Sequence, residues 1–396
     1  MSKDSLYIIY AGPFRFPDGD AAAARVLNNA RAMRMAGHRV EFLSYGGRHE
    51  SEASSTRQSE FDGFEYSITH DIDRSRDPIQ RRIVNFLVQG YRAYALLKTK
   101  SVPDVVILYN PALVMVVRML FFARSRRIRL VADLTECYHS SEFPGGKWMP
   151  FAWMNELNIR WALRTISSKI VISSFLDHFY KSSVNLIVPP LVDINDEKWT
   201  RKSEVIPAFE GINCIYAGTP SGKDQVLFIL DALKRAIGQG ASVRLIFLGE
   251  GLDQLRLSVQ SADFAMCRDF VVFPGKVPQY DVPAWYNTAD FSLLFREHNR
   301  KNDAGFPTKF VESMAAGVPV IGNLTSDLGN YLVHDYNGFI VNEIDSKVLA
   351  DLFVHLSKLN KSQLSNMKKA AKQTAVQYFD FRNHQERLNN FLSTTR

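Results

Sequence analysis

The stretch AGFPTKFVESMAAGVPVI, residues 304 to 321, reads as a turn, one short helix and a buried strand, and the helix carries a single carboxylate, Glu312. Pro307 fits the first helical position and Gly317 the stop, which bounds a helix of about ten residues. Val311, Met314, Ala315 and Val318 recur at three-and-four spacing as the buried stripe, so Thr308 and Glu312 share a different face. A carboxylate there accepts two hydrogen bonds from neighbouring hydroxyls, such as a ribose presents. The alternative is a surface ion pair with Lys309, three residues away, worth roughly 0.2 to 0.5 kcal/mol.

Three other stretches hold chemistry-bearing residues. CIYAGTPSGKDQ, residues 214 to 225, is a strand, a tight glycine turn and a helix start, with Lys223 at the end of the turn. Gly218 and Gly222 let backbone N–H groups approach an anion, the helix N-terminus adds a partial positive charge, and Lys223 adds a full one. The glycine spacing is not that of a Walker loop, and an ordinary strand-helix turn with a solvated lysine is the competing reading. VADLTECYHSSEF, residues 131 to 143, ends a strand with Asp133, Glu136 and His139 at three-residue intervals. One of them would orient or deprotonate a hydroxyl, histidine being the side chain that changes charge near neutrality; a structural hydrogen bond is the plainer role. In AGPFRFPDGDAAAARVLNN, residues 11 to 29, Asp20 is a good N-cap for a helix beginning at Ala21. Arg25, one turn into that helix, reaches either a cleft or solvent.

The elements that position these residues alternate along the chain. A strand at 6–12, a helix at 21–36 stopped by Gly37 and a strand at 39–47 open it. A helix near 83–98, strand 104–109, helix 112–123, strand 128–133, helix 150–165 and strand 169–173 follow, which implies a parallel sheet. The polar residues 194–211 read as a linker. The pattern restarts with strand 212–217 and runs through strand 318–322 to helices at 345–358, 361–377 and 381–393. The predicted fold is α/β, two doubly wound Rossmann-like domains facing a central cleft, at residues 1–193 and 212–378. A C-terminal helix, 379–396, packs back on the N-terminal domain. The length of 396 residues suits two domains.

Composition narrows the function. Cys137, Cys214 and Cys267 lie far apart with no histidine spaced to join them, so neither zinc nor disulfides are expected. LYIIYAG is short and reads as a first strand rather than a leader, which predicts a cytoplasmic protein. The apolar run 105–123 is cut by Asn110 and Pro111 and charged by Arg118, so it reads as strand, turn and helix rather than a membrane span. Residues 1–132 carry 20 Lys and Arg against 13 Asp and Glu, which accounts for the whole net charge of +7. No nucleic-acid motif accompanies the excess. Phe121 and Phe122 run directly into Arg124, Arg126 and Arg127, a pairing that suits the surface of a bilayer as well as a solvated basic helix end.

Residues 304–321 resemble the donor-site signature of the GT-B retaining glycosyltransferases of family four, which has two Glu separated by seven residues before a small-residue, Gly, Pro, Val run. CIYAGTPSGKD resembles that family's diphosphate turn, RLIFLGEG (244–251) its next strand and glycine, FPGKVPQYDVPAWYNTADFSLL (273–294) the stretch before the signature, and HDYNGFIV (334–341) its sequel. The resemblance implies a retaining, metal-independent enzyme with no cofactor that moves a sugar from a UDP- or GDP-sugar to a glycan or lipid-linked glycan acceptor. It implies donor contacts at Gly218, Thr219, Lys223, Gly249, Val277, Asp303, Gly305, Phe306, Pro307, Thr308 and Glu312. Lys223 and Glu312 are the implied catalytic groups, to which the reading of residues 131–143 adds His139; the loop 11–29, which resembles the family's first loop, makes Gly19, Asp20 and Arg25 the expected acceptor contacts, with Glu136 from residues 131–143. Three positions depart from the pattern: Thr219 stands where the family generally has Arg, Ala304 where it has the first Glu, and Asp20 after Gly19 where the loop between first strand and first helix usually has two adjacent glycines. Asp303, or less well Glu297, would supply the missing carboxylate. A catalytically silent partner subunit and a nucleotide-sugar epimerase of the same shape are the competing readings.

Overall fold

Short apolar runs such as VVILY and VRLIFL are buried on both faces, which is what a parallel sheet covered by helices requires. The computed structural model describes residues 5–17, 19–46, 57–69, 90–139, 150–201, 203, 208–219 and 226–394. They form two compact units: residues 1–191, 304–306 and 381–396 in one, and 192–303 and 307–380 in the other.

In the first unit eight strands lie in the order β3-β4-β2-β1-β5-β6-β7-β8. They are β1 (Tyr7–Gly12), β2 (Arg39–Ser44), β3 (Arg57–Phe61), β4 (Phe64–Ile68), β5 (Val105–Tyr109), β6 (Arg129–Leu134), β7 (Ser168–Val171) and β8 (Val184–Ile187). All neighbours are parallel except β3 and β4. These two form a hairpin that hydrophobic periodicity did not reveal; Asp62 (φ 51°) and Gly63 (φ 72°) make its tight turn. The helices are α1 (Ala21–Met35), α2 (Tyr91–Leu97), α3 (Leu113–Arg126), α4 (Pro150–Leu157) and α5 (Ser174–Phe179). The part of the expected 83–98 helix before residue 90 lies outside the described residues. The expected single helix 150–165 is α4 followed by a π-helical turn, Asn158–Ala162, and a 3-10 turn, Leu163–Thr165.

The second unit holds six parallel strands in the order β11-β10-β9-β12-β13-β14. These are β9 (Ile212–Ala217), β10 (Val243–Leu248), β11 (Val271–Gly275), β12 (Phe291–Leu294), β13 (Val320–Gly322) and β14 (Gly338–Ile340). Chain order reverses between β9 and β12, the switch point beside which open α/β sheets bind ligands. The helices here are α6 (Leu227–Gly238), α7 (Asp253–Gln260), α8 (Val282–Tyr286), α9 (Arg300–Ala304), α10 (Thr308–Ala315), α11 (Ser346–Leu356) and α12 (Lys361–Tyr378).

Two segments between and after the domains are placed by specific contacts. The described part of 194–211 is packed rather than free. Trp199 is buried, its indole donates to Asp193 O at 2.7 Å, and Asn287 beside α8 donates to Trp199 O at 2.9 Å and Arg201 O at 2.6 Å. The final helix, α13 (Gln385–Thr394), lies in the first unit, where Arg387 donates to Ile187 O at 3.2 Å and Gln385 to Met35 O at 2.9 Å.

Among the described residues no helix is long and apolar enough to cross a membrane. Residues 105–134 are strand, helix and strand, because Asn110, with φ at 37°, turns the chain.

Candidate active site

The carboxyl ends of β9, β10 and β11 each run into a glycine: Gly218 (φ 142°), Gly249 (φ 139°) and Gly275 (φ 88°). The backbone ladder continues through them. Gly218 N donates to Leu248 O at 2.8 Å, and Gly249 N to Gly275 O at 2.9 Å. A Cβ on Gly249 would overlap the carbonyl of Gly218, so this floor can be built only from bare backbone. Thr219 follows, exposed. Lys223 lies outside the described residues.

Over this floor stands a lysine that sequence reasoning assigned only to a surface pair. Lys309, on the first turn of α10, donates from Nζ to the Tyr216 hydroxyl at 3.1 Å and sits 4.4 Å from the centre of that ring. A Cβ on Gly218 would meet its Cε and Nζ at 2.5 Å. An ammonium therefore packs directly on the glycine turn at the switch point. The signal was present in the sequence, since Tyr216 alternates with Cys214 on the strand before the turn, but strand periodicity does not say which helix residue meets it.

α10 is eight residues long rather than about ten, with Pro307 as its N-cap rather than its first residue. Its stop is as read from sequence: Gly317 adopts φ 72° and donates to Met314 O at 2.9 Å, while Lys372 Nζ donates to Ala315 O at 2.6 Å. Val311, Met314, Ala315 and Val318 are buried. Thr308 and Glu312 are half-buried. Burial pushes the Glu312 carboxyl up to about 7, against the opposing pull of the Lys198 and Lys309 ammonium groups. Lys198, in the segment read as a linker, was not foreseen.

Asp303, on α9, receives the Ser326 N–H at 3.5 Å and lies 3.4 Å from His298 Nδ1. Glu297 is exposed and Ala304 fully buried, so the chain offers only a methyl group at that position. Gly305 and Phe306 group with the first unit. Val277 is partly buried against a core cluster that includes Ile215, Leu248 and Trp285.

In the first unit Asp20 caps α1: Oδ1 accepts from Ala23 N at 2.7 Å and Oδ2 from Arg15 N at 3.2 Å, while Gly19 N donates to Arg15 O at 2.8 Å. Arg25 reaches neither a cleft nor solvent. It is buried against Asp133, NH2 to Oδ1 at 2.7 Å, and it also donates to Val188 O at 2.9 Å. Burial alone would weaken its charge, and Asp133 outweighs that. The Tyr10 hydroxyl donates to Asp133 as well. Both residues are therefore spent on holding α1 to β6, and Asp133 leaves the trio of possible acid-base groups. Glu136 accepts from the Tyr138 hydroxyl, and His139 is exposed.

This arrangement, with glycine-ended parallel strands, an ammonium at the switch point and a carboxylate one turn further along the helix, can be compared with known proteins. Residues 211–358 match the family described as Glycosyl transferases group 1. The matched stretch contains the glycine floor, Lys309 and Glu312. WcaL of Escherichia coli (strain K12), named for colanic acid biosynthesis, is 29% identical over 152 residues, 38% of this chain and 37% of its own. A GDP-mannose-dependent alpha-(1-6)-phosphatidylinositol monomannoside mannosyltransferase of Mycobacterium tuberculosis (strain ATCC 25618 / H37Rv) is 28% identical over 137 residues, 34% of each chain. The chain spans well under half the length of these curated relatives. HepE of Anabaena, crystallised with UDP and glucose, superposes with a TM-score of 0.68 at 14% identity, over 98% of this chain and 100% of its own. Sucrose-phosphate synthase of Thermosynechococcus elongatus gives 0.70 at 14%, over 97% and 98%. At that identity the solved structures establish the fold alone: two Rossmann-like α/β domains of the GT-B architecture.

Proposed function

We propose that the protein is a retaining, metal-independent glycosyltransferase that moves a sugar from a UDP- or GDP-sugar to a glycan or lipid-linked glycan, working at the cytosolic membrane face in surface polysaccharide biosynthesis. The observation that carries the reading is the Lys309 ammonium packed on Gly218, with Glu312 one turn on along α10. The relatives named for polysaccharide and lipid-linked sugar transfer support the substrate class.

In this reading the donor diphosphate lies over the glycine floor of β9 and β10, and Glu312 receives the ribose hydroxyls. Glycosyl transfer passes through an oxocarbenium-like state while negative charge grows on the departing diphosphate. Lys309 and Lys223 neutralise that charge with the N-terminus of α10, so no metal is needed. Lys309 takes the place of the arginine that Thr219 lacks. Thr308 and the backbone of Gly305, Phe306 and Pro307 meet the sugar or its phosphates. Asp303 supplies the carboxylate absent at Ala304. A leaving phosphate oxygen accepts the acceptor proton, which gives retention without a protein nucleophile. Gly19, Glu136 and His139 face the acceptor.

The test is a mass-spectrometric screen of the purified protein against UDP-, GDP- and ADP-sugars with glycan acceptors, followed by NMR of the product anomer. Nucleoside diphosphate released only with acceptor present, and a product of unchanged anomeric configuration, are expected. Release of nothing from any donor would favour the second reading, a catalytically silent partner subunit, which Ala304 and Thr219 make specific. Conversion of the donor sugar without transfer would point to an epimerase.

A further inference from the structure

Beyond the donor site, one surface of the first unit is unusual in composition. Along α4 and its π-helical and 3-10 continuation, Trp153, Leu157 and Trp161 are 68%, 49% and 70% exposed. Arg160 and Arg164 are exposed beside them. These five lie at spacings of four, three, one and three, which is a single helical face. The opposite face, with Ala152, Ile159, Ala162 and Leu163, is buried. Large apolar groups are thus held outward by a helix that already has a core side.

The neighbouring helix repeats the pattern. On α3, Val117 and Phe121 are 41% and 74% exposed and Arg124 follows one turn later. Phe122, which the sequence paired with Phe121 as a surface group, is buried and stacks edge-on against Tyr94 at 5.8 Å. Because α3 and α4 are consecutive crossovers between the parallel neighbours β5, β6 and β7, they run the same way over the sheet. Asn158 ties them, donating to Pro111 O at 2.9 Å. Residues 113–129 and 150–165 contain seven arginines and one acid, Glu156, which pairs with Arg160 at 2.6 Å.

We propose that the outer face of α3 and α4 is the surface by which the protein seats on an anionic lipid bilayer, with Trp153, Leu157, Trp161 and Phe121 entering the interface and Arg124, Arg160 and Arg164 at headgroup level. Tryptophan and arginine each have an apolar body and a polar end, which suits a boundary between water and hydrocarbon. The excess of arginine selects negative headgroups. A second copy of the chain fits less well: three aromatic tips offer roughly 450 Å² of contact, against about 800 Å² per partner in a stable interface. The proposal extends the membrane-facing part of the proposed function, and its test does not depend on sugar transfer.

The experiment uses the full chain and vesicles of phosphatidylcholine with and without phosphatidylglycerol, the acyl chains brominated. Partition by co-sedimentation and quenching of tryptophan fluorescence are read together; Trp199 and Trp285 are buried and supply an internal reference. Binding to the anionic vesicles with quenching is expected. Joint substitution Trp153→Ser and Trp161→Ser should remove most of the quenching and weaken partition about tenfold or more. Arg124→Glu with Arg164→Glu should remove the preference for anionic lipid. All four substituted positions are exposed, and an unchanged far-UV spectrum checks the fold. Equal partition of wild type and the double tryptophan variant would overturn the proposal. So would self-association without vesicles that the same variant abolishes.

Discussion

The side chain of Lys309 lies so near the Cα of Gly218 that a methyl group added there would meet its Cε and Nζ at 2.5 Å. A residue on α10 therefore packs on the turn after β9, ninety-one positions earlier in the chain. If a diphosphate occupies that turn, Lys309 is the cation that meets it.

Lys309→Ala should lower kcat/KM by roughly a hundredfold, the scale on which one preorganised electrostatic group acts. Because Lys309 is half-buried on the first turn of α10, the thermal midpoint should change little, and Lys309→Arg should recover part of the rate. Steady-state kinetics with the donor found by screening gives the measurement. A variant with unchanged kcat/KM would remove Lys309 from the donor site.

Gly218→Ala and Gly249→Ala should separate function from folding. The first sets a methyl against a flexible lysine end, and the second against the backbone carbonyl of Gly218. Both also force alanine into backbone conformations that it rarely adopts, costing of order 1 to 3 kcal/mol each. Gly249→Ala is expected to be the less stable by denaturant melting, while Gly218→Ala should lose nucleotide-sugar affinity in proportion to the displacement of Lys309. Equal losses of stability would contradict the asymmetry.

Glu312 supplies a pH signature. Its carboxyl holds a proton up to about 7 in the folded chain, whereas in the unfolded chain it releases it near the ordinary 4.5. The folded state therefore binds more protons between those values, and stability falls as pH rises through that window. Glu312→Gln should melt like wild type below the window and above wild type at pH 8. Ribose hydroxyls need the ionised carboxylate as acceptor, so wild-type affinity for a nucleotide sugar should rise between pH 6 and 8, and Glu312→Ala should bind weakly with no such rise. Calorimetric titration at the two pH values decides it.

The Arg25–Asp133 pair should behave as structure. Arg25→Ala leaves the fully buried Asp133 carboxylate without its cation, and breaking such a pair by removing one partner costs about 3 to 5 kcal/mol. The expected reading is a large fall in the urea midpoint. Loss of acceptor affinity with the midpoint unchanged would instead return Arg25 to the binding surface.

The sequence by itself determined most of the elements and their order, though not the β3–β4 hairpin or the breaks in 150–165. Strands such as Ile212–Ala217 and Val243–Leu248 announce themselves through continuous apolar runs, and α10 through three-and-four spacing with Gly317 at its end. These are local consequences of burial and backbone geometry, legible within a few residues. It also placed Gly218 and Gly249 just after the ends of strands and Glu312 on the short helix α10. What only the tertiary structure decided was how distant residues pair. Lys309 turned from a surface partner of Glu312 into the neighbour of Gly218 and Tyr216, and Arg25 from a cleft candidate into the buried partner of Asp133. Trp199, in the segment read as a linker, is buried and hydrogen-bonded to Asp193, with Asn287 donating to its carbonyl. A long side chain such as lysine or arginine can reach several surroundings from the same backbone position, and periodicity fixes only the face from which it starts.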